Sequence, residues 1–403
     1  MHAGRLRRGA TAAGLACALA LGACGGTDAP APRPPASTAA STGSPAPLIP
    51  ERTPLPTALP SDVLAGEMQD LAKLAERLAQ RLPAQRRPAP VAITGGTEDW
   101  RPGTAYRGYF ADPDIVRHDG RWFAYATNTA HLRLPTLTSR DLRTWTPLTD
   151  AGGRRVDPLT AAGWVRSRAG GQSLWAPAVA RVGAGWTAAY SAPAGTSGGQ
   201  RHNCIGLARG PSPAGPFRPV GAPLCYGQAQ LGVIDPDVFV DAQGRAWLLW
   251  KFSGVVGRRP AGLFVRRLDA EGTGFAAGSQ TRELLTLQQP WEGDTIENPS
   301  MVQFRGVTYL FYSANDYETA DYATGYAICA GPEGPCVRQN HGAPLLSTAT
   351  TGRLGPGGAS AFVDGHSLRL AYHAWDRVGR LRLLHVAGLW QRPDGTLEVT
   401  DAG

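Results

Sequence analysis

Residues 231–251 read LGVIDPDVFVDAQGRAWLLWK. A polar step, Ile234-Asp235-Pro236-Asp237, leads into an apolar run at residues 238–240. A turn over residues 241–245 follows, then a second apolar run at 246–250. Two apolar runs about a glycine-containing turn read as a β-hairpin. The same grammar recurs four times: ADPDIVRHDGRWFAYAT from Ala111, WAPAVARVGAGWTAAYS from Trp175, ENPSMVQFRGVTYLFYS from Glu297 and GPGGASAFVDGHSLRLAYHA from Gly355. The strands open near Ile115, Val179, Val238, Met301 and Ala361, a period of about 60 residues. A fixed period with a hairpin in every unit is the signature of a propeller with one sheet per blade. The expected fold is therefore all-β: a five-bladed β-propeller over residues 91–403.

Equivalent strands of the blades should line one central axis, so the polar steps should gather at one end of it. Asp112, Asp235 and Glu297 come from three different blades and are expected to converge there. Carboxylates crowded together repel one another and hold their protons harder, which is characteristic of reactive sites. The proline after Asp112 and Asp235 is expected to keep each aspartate extended. Two carboxyl groups at a water-accessible pocket equip a site for glycosidic bond cleavage, one donating a proton and the other activating water. A third can tune the first. Trp175, on the neighbouring blade, offers a flat face for a sugar ring.

The 403 residues are 42% hydrophobic and 18% charged, as in an ordinary globular chain. The net charge of +8 comes almost wholly from arginine, since Lys73 and Lys251 are the only lysines. Richness in Arg, Ala, Gly and Pro points to a GC-rich genome. No basic cluster is interleaved with aromatic residues, which argues against nucleic acid as a partner.

Residues 1–24 read as an export signal: Arg5, Arg7 and Arg8 precede a short apolar core at 10–21. Leu21-Gly22-Ala23-Cys24 looks like a lipobox, implying lipidation of Cys24 and a membrane anchor at the bacterial cell surface. The alternative is an ordinary signal peptide and a secreted protein. Residues 25–60, rich in Ala, Pro, Ser and Thr, cannot bury a core and should form a disordered tether. Within 61–87, Leu64, Met68, Leu71, Leu74, Leu78 and Leu82 recur at helical spacing ahead of Pro83, predicting one amphipathic helix. Beyond Cys17 and Cys24, an even number of cysteines remains in an exported domain. Cys329 and Cys336 enclose a short Gly/Pro loop and are expected to pair, as are Cys204 and Cys225 around a turn-rich stretch.

The motifs GYFADPDIV, WAPAV, IDPDVFVD, IENPSMV and YHAWD together resemble glycoside hydrolase family 43, over roughly residues 106–390. The resemblance implies a five-bladed propeller with inverting chemistry on arabinan, arabinoxylan or xylo-oligosaccharides. Carried over by position, it makes Asp112 the general base, Glu297 the general acid and Asp235 the residue that tunes and orients the acid. Asp114 and Asp237 read as structural. Phe110, Trp175, Trp291 and His373 are expected to contact substrate; Trp291 could instead belong to a blade core, and His373 to the interior of a blade. Two departures stand out. Glu297-Asn298-Pro299 replaces the usual Glu-Gly-Pro. GPGGAS at 355–360 replaces a GPGHNS whose histidine helps to hold an axial metal, so with Gly358 there no axial calcium or other cofactor is assigned by that route. Loops at 151–171, 192–201 and 288–295 should wall the pocket, and the domain is expected to act as a monomer.

Two rivals compete. A non-catalytic glycan-binding propeller would tolerate Asn or Ser at Glu297. A fructan-active relative would carry Asn-Asp-Pro-Asn and Arg-Asp-Pro steps, whereas Ala111 and Ile234 precede the aspartates here.

Overall fold

The structure is a computed structural model that describes residues 84–94, 106–168, 171–197, 200–226, 232–255, 257–339 and 342–403. The signal, the tether and residues 61–83 of the expected helix lie outside these. Residues 84–87 have no helical structure.

Each repeat forms one four-stranded antiparallel sheet whose strands follow one another in sequence. Blade 1 holds Asp114–His118, Arg121–Tyr125, Thr136–Ser139 and Thr146–Pro147. Blade 2 holds Trp175–Val182, Gly185–Ser197, Gln200–Gly210 and Arg218–Cys225. Blade 3 holds Val233–Val240, Ala246–Phe252, Gly262–Arg267 and Arg282–Thr286. Blade 4 holds Ile296–Phe304, Val307–Ala314, Ala323–Cys329 and Cys336–Arg338. Blade 5 holds Leu354–Asp364, Ser367–Trp375, Arg382–Gln391 and Leu397–Asp401. The first strand of each blade packs on the first strand of the next, and that of blade 5 returns to blade 1. This is the five-bladed propeller that the repeat predicts.

A blade is covered on both faces by its neighbours, so its inner strands read as continuous apolar runs rather than as alternation. Ala246–Phe252 is buried at every position. An apolar cluster fills each blade–blade interface; Trp250 and Phe252 of blade 3, for example, pack with Ile205 and Leu207 of blade 2.

Among the described residues the N-terminal segment adds no strand to a blade. Residues 85–94 instead run across the seam between blades 5 and 1. Arg86 N donates to His366 O at 3.0 Å, and Thr94 N donates to Arg143 O at 3.0 Å. Val91 N donates to Asp401 Oδ2 at 3.1 Å. Both expected disulfides are present, and each staples a third strand to its outer edge strand. The Cα atoms are 4.5 Å apart for Cys204–Cys225 and 4.0 Å for Cys329–Cys336.

Side chains near the axis tie blade to blade. Asp114 Oδ2 accepts from Val179 N at 2.7 Å, and Asp237 Oδ2 accepts from Met301 N at 2.8 Å. Ser300 Oγ accepts from Ala361 N at 3.0 Å, and Ser360 Oγ donates to Asp114 Oδ1 at 2.8 Å. Burial, with some help from the charge of Asp114, pushes the Asp237 carboxyl up to about 8. Burial also lifts Asp114 to about 6. A carboxyl raised in the folded state binds its proton more tightly there than in the unfolded chain. Its stabilising effect is complete below the unfolded value, about 3.9, and is lost as pH rises through about 8. Asp237→Asn keeps a carbonyl for Met301 N–H and removes this titration. Wild type should lose stability from pH 5 to pH 8 in urea unfolding, and the variant should lose about 3 kcal/mol less over that interval. Equal losses in the two proteins would contradict the buried neutral carboxyl.

Candidate active site

The polar steps share one backbone device. Asp112, Ala176, Asp235, Asn298 and Gly358 occupy the same position in the five blades, and all are left-handed, with φ of +50°, +42°, +54°, +52° and +59°. The aspartates before proline are therefore not extended as the sequence suggests. The strand pairing slips at this point in blades 2 to 5, as in a β-bulge. The slip turns the N–H of the left-handed residue toward the preceding blade and lets two successive side chains face one cavity. Ile234 and Asp235 both line it, as do Glu297 and Asn298.

That cavity, about 460 Å³, brings Asp112, Asp235, Glu297 and Trp175 together. Asp112 accepts from Thr127 Oγ1 at 2.5 Å and from Asn298 Nδ2 at 3.4 Å. Arg382 Nη1 stands 3.6 Å from Asp112 Oδ1, so this carboxylate has two hydrogen-bond donors and a positive charge beside it. Arg382 is itself caged by the rings of Tyr109, Tyr317 and Trp375, its guanidinium carbon 5.4, 4.9 and 5.7 Å from their centroids. Glu297 Oε2 accepts from Lys251 Nζ at 2.7 Å, and Oε1 accepts from Tyr322 OH at 2.8 Å. Asp235 is buried beside this pair, its Oδ2 accepting from Asn298 N at 3.2 Å. Burial first, and then the charge of Glu297, hold the Asp235 carboxyl well above the ordinary carboxylate range.

Three of the expected substrate contacts fall elsewhere. Phe110 is 1% exposed and packs in the core between blades 5 and 1; its neighbour Tyr109 lines the cavity, because successive residues of extended chain point to opposite sides. Trp291 lies against Tyr312, ring centroids 5.8 Å apart, and over Gly325. It is held there because Glu292, wholly buried, accepts from Arg338 Nε at 2.6 Å, Tyr312 OH at 2.8 Å and Gln288 N at 2.8 Å. His373 is fully buried behind Asp112 rather than in the cavity wall; its Nδ1 accepts from Asp112 N at 3.0 Å. Burial and Arg382 hold His373 neutral, so the approach of Nδ1 to Asp112 Oδ1 at 3.4 Å is a contact between two acceptors and not an ion pair. The stretch at 192–201 is no loop either: it belongs to a long hairpin paired out to Ser197 and Gln200, and Pro193 and Asn203 wall the cavity.

The sequence reading missed Tyr109, Asn203, Asn298, Tyr317 and Arg382 in the wall, and Lys251 and Tyr322 behind it. The one available signal was Lys251, the single lysine of an otherwise arginine-only domain.

The residues do not fit an axial metal held in the family's manner. A Cβ on Gly358 would come within 2.5 Å of the His373 ring, so His373 occupies the space that a side chain at 358 would need. The single lone pair of His373 is already used by Asp112 N–H. Among the described residues no group of three or more His, Cys, Asp or Glu side chains is gathered as metal ligands.

The model of the family "Glycosyl hydrolases family 43" matches residues 105–387. With five blades of the same order and the three acidic residues at one cavity, the chain belongs to that family. Its fold is similar to that of a thermostable family-43 glycoside hydrolase, with 25% identity, a TM-score of 0.60 and coverage of 78% of this chain and 96% of the other. It is also similar to an endo-1,4-β-xylanase from Bacteroides thetaiotaomicron (24% identity, TM-score 0.58, coverage 73% and 96%). A third similar structure is an α-L-arabinanase from Cellvibrio cellulosa complexed with arabinohexaose (19% identity, TM-score 0.57, coverage 73% and 96%). No curated protein matches this sequence significantly.

Proposed function

We propose that this protein hydrolyses glycosidic bonds of arabinose- or xylose-containing glycans with inversion at the anomeric carbon. The observation that carries the reading is the cavity in which Asp112, Asp235 and Glu297 meet beside Trp175. Glu297 gives its proton to the glycosidic oxygen as the bond to the anomeric carbon breaks. Asp112 takes a proton from water, which attacks the opposite face of the sugar. Asp235, adjacent to Glu297, tunes and orients the acid, and Trp175 supplies a surface for a ring. The xylanase and the arabinanase among the similar structures support the substrate class. The leader and Cys24 motif support action at the cell surface through a lipid anchor, and a single propeller supports a monomer.

The test is proton NMR during hydrolysis of p-nitrophenyl α-L-arabinofuranoside and β-D-xyloside, and of arabino- and xylo-oligosaccharides. The first-formed sugar should carry the anomeric configuration opposite to that of the substrate. Retention would overturn the roles given to Asp112 and Glu297. Absence of turnover on all of these would favour a glycan-binding propeller.

A further inference from the structure

A row of side chains links each blade to the next behind the cavity, and one member breaks it. Thr127 Oγ1 accepts from Ala176 N at 3.0 Å, and Ser191 Oγ accepts from Asp235 N at 2.7 Å. Ser313 Oγ accepts from Gly358 N at 2.9 Å, and His373 Nδ1 accepts from Asp112 N at 3.0 Å. Each acceptor lies on the second strand of one blade, or just past it, and holds the left-handed residue of the following one. In blade 3 the same position is Lys251, an ammonium that cannot accept. Asn298 N turns instead to Asp235 Oδ2. Lys251 is 5% exposed, and its Nζ lies 2.7 Å from Glu297 Oε2. The fold thus moves this inter-blade tie to Asp235 and places a buried cation against the expected proton donor.

We propose that Lys251 is a positioning residue for the proton donor: it fixes the Glu297 carboxyl and stabilises the carboxylate that Glu297 becomes on donating its proton. The inference rests on the general-acid role of Glu297. In that step the O–H bond of Glu297 breaks and its proton goes to the glycosidic oxygen. That oxygen keeps the electron pair of the cleaved C–O bond, and water deprotonated at Asp112 completes the sugar. Negative charge appears on Glu297 as the reaction proceeds, and Lys251 keeps its own proton throughout. An interaction that strengthens along the reaction lowers the barrier, whereas an equal one in both states would not. The groups facing this charge are Glu297, Asp235 and Tyr322, with Asp112 across the cavity. Burial opposes the charge of Lys251, and Glu297 and Asp235 together outweigh it, so the ammonium persists. Its charge in turn pulls the raised Asp235 carboxyl downward.

The test is Lys251→Met, which keeps the apolar stem, beside Lys251→Ser, which restores the residue found in blades 2 and 4. On substrates with sugar leaving groups kcat should fall about 100-fold with KM little changed, and on dinitrophenyl glycosides by less than about fivefold. The alkaline limb of the pH–rate profile should move up by about one pH unit, because the acidic cluster loses its cation. A uniform loss on both substrates, or an unmoved limb, in either folded variant would overturn the proposal. Glu297→Gln is run alongside. If it retains full activity, the general-acid assignment fails; if it loses activity while Lys251→Met behaves as wild type, only the inference about Lys251 fails.

Discussion

Glu297→Gln should lower kcat/KM on natural oligosaccharides by about 10³-fold while costing less than about tenfold on dinitrophenyl glycosides. The asymmetry follows from the leaving group. A sugar hydroxylate is too basic to depart without a proton, whereas a dinitrophenolate departs unaided. Glutamine occupies the same volume and can still accept from Tyr322 OH through its carbonyl. Its amide would face Lys251 with a donor, so the variant also loses the ion pair now formed at 2.7 Å. Any cost of that loss to folding bears on both substrates alike; the selective part of the effect belongs to proton donation and to the charge that Lys251 stabilises with it. Parallel assays with the two leaving groups, with melting temperatures as a control on folding, separate the two parts. Equal losses on both substrates would remove Glu297 from the role of acid.

The architecture was legible because a propeller repeats itself. Five copies of one step-strand-turn-strand phrase state the number of blades, and apolar runs such as residues 246–252 state that each blade is covered on both faces. The three carboxylates were legible for the same reason, since residues in register on equivalent strands must share one end of the axis. The bulge was not. Proline after Asp112 argues for extended backbone, and only the structure shows the left-handed residue in every blade. Seen from there, Glu297-Asn298-Pro299 is a modest departure from a glycine motif, because asparagine tolerates the left-handed region better than most residues. Its side chain also gains a contact with Asp112 at 3.4 Å.

Contacts that depend on which way a residue faces were harder. Phe110 and Tyr109 are both aromatic, and no period in that stretch distinguishes the core ring from the one that lines the cavity. Trp291 is fixed by the buried Glu292–Arg338 pair, whose members are 46 positions apart and belong to no shared motif. Arg382 reaches Asp112 across the seam where the ring closes, a contact that no local pattern encodes. In an arginine-rich chain, one more arginine carries no signal.

Asp112→Asn should lower kcat/KM by about 10³- to 10⁴-fold on natural and activated substrates alike, because both need a water molecule to lose a proton. Steric disturbance is small, since asparagine is isosteric. Its carbonyl can keep the hydrogen bond from Thr127, but its amide must then face Asn298 Nδ2 and Arg382, both of which are donors. Arg382, partly buried and caged by aromatic rings, would keep its charge without the carboxylate that now balances it. The variant should therefore also be slightly less stable, and a melting curve measures that cost separately from turnover. The alternative base in the Asp-Pro-Asp step, Asp114, is already committed: it accepts from Val179 N and Ser360 Oγ and holds three blades together. Asp114→Asn should thus act mainly on stability and leave the leaving-group dependence unchanged. A folded Asp112→Asn that hydrolyses dinitrophenyl glycosides at the wild-type rate would place water activation on another residue, and with it the inverting assignment would fail.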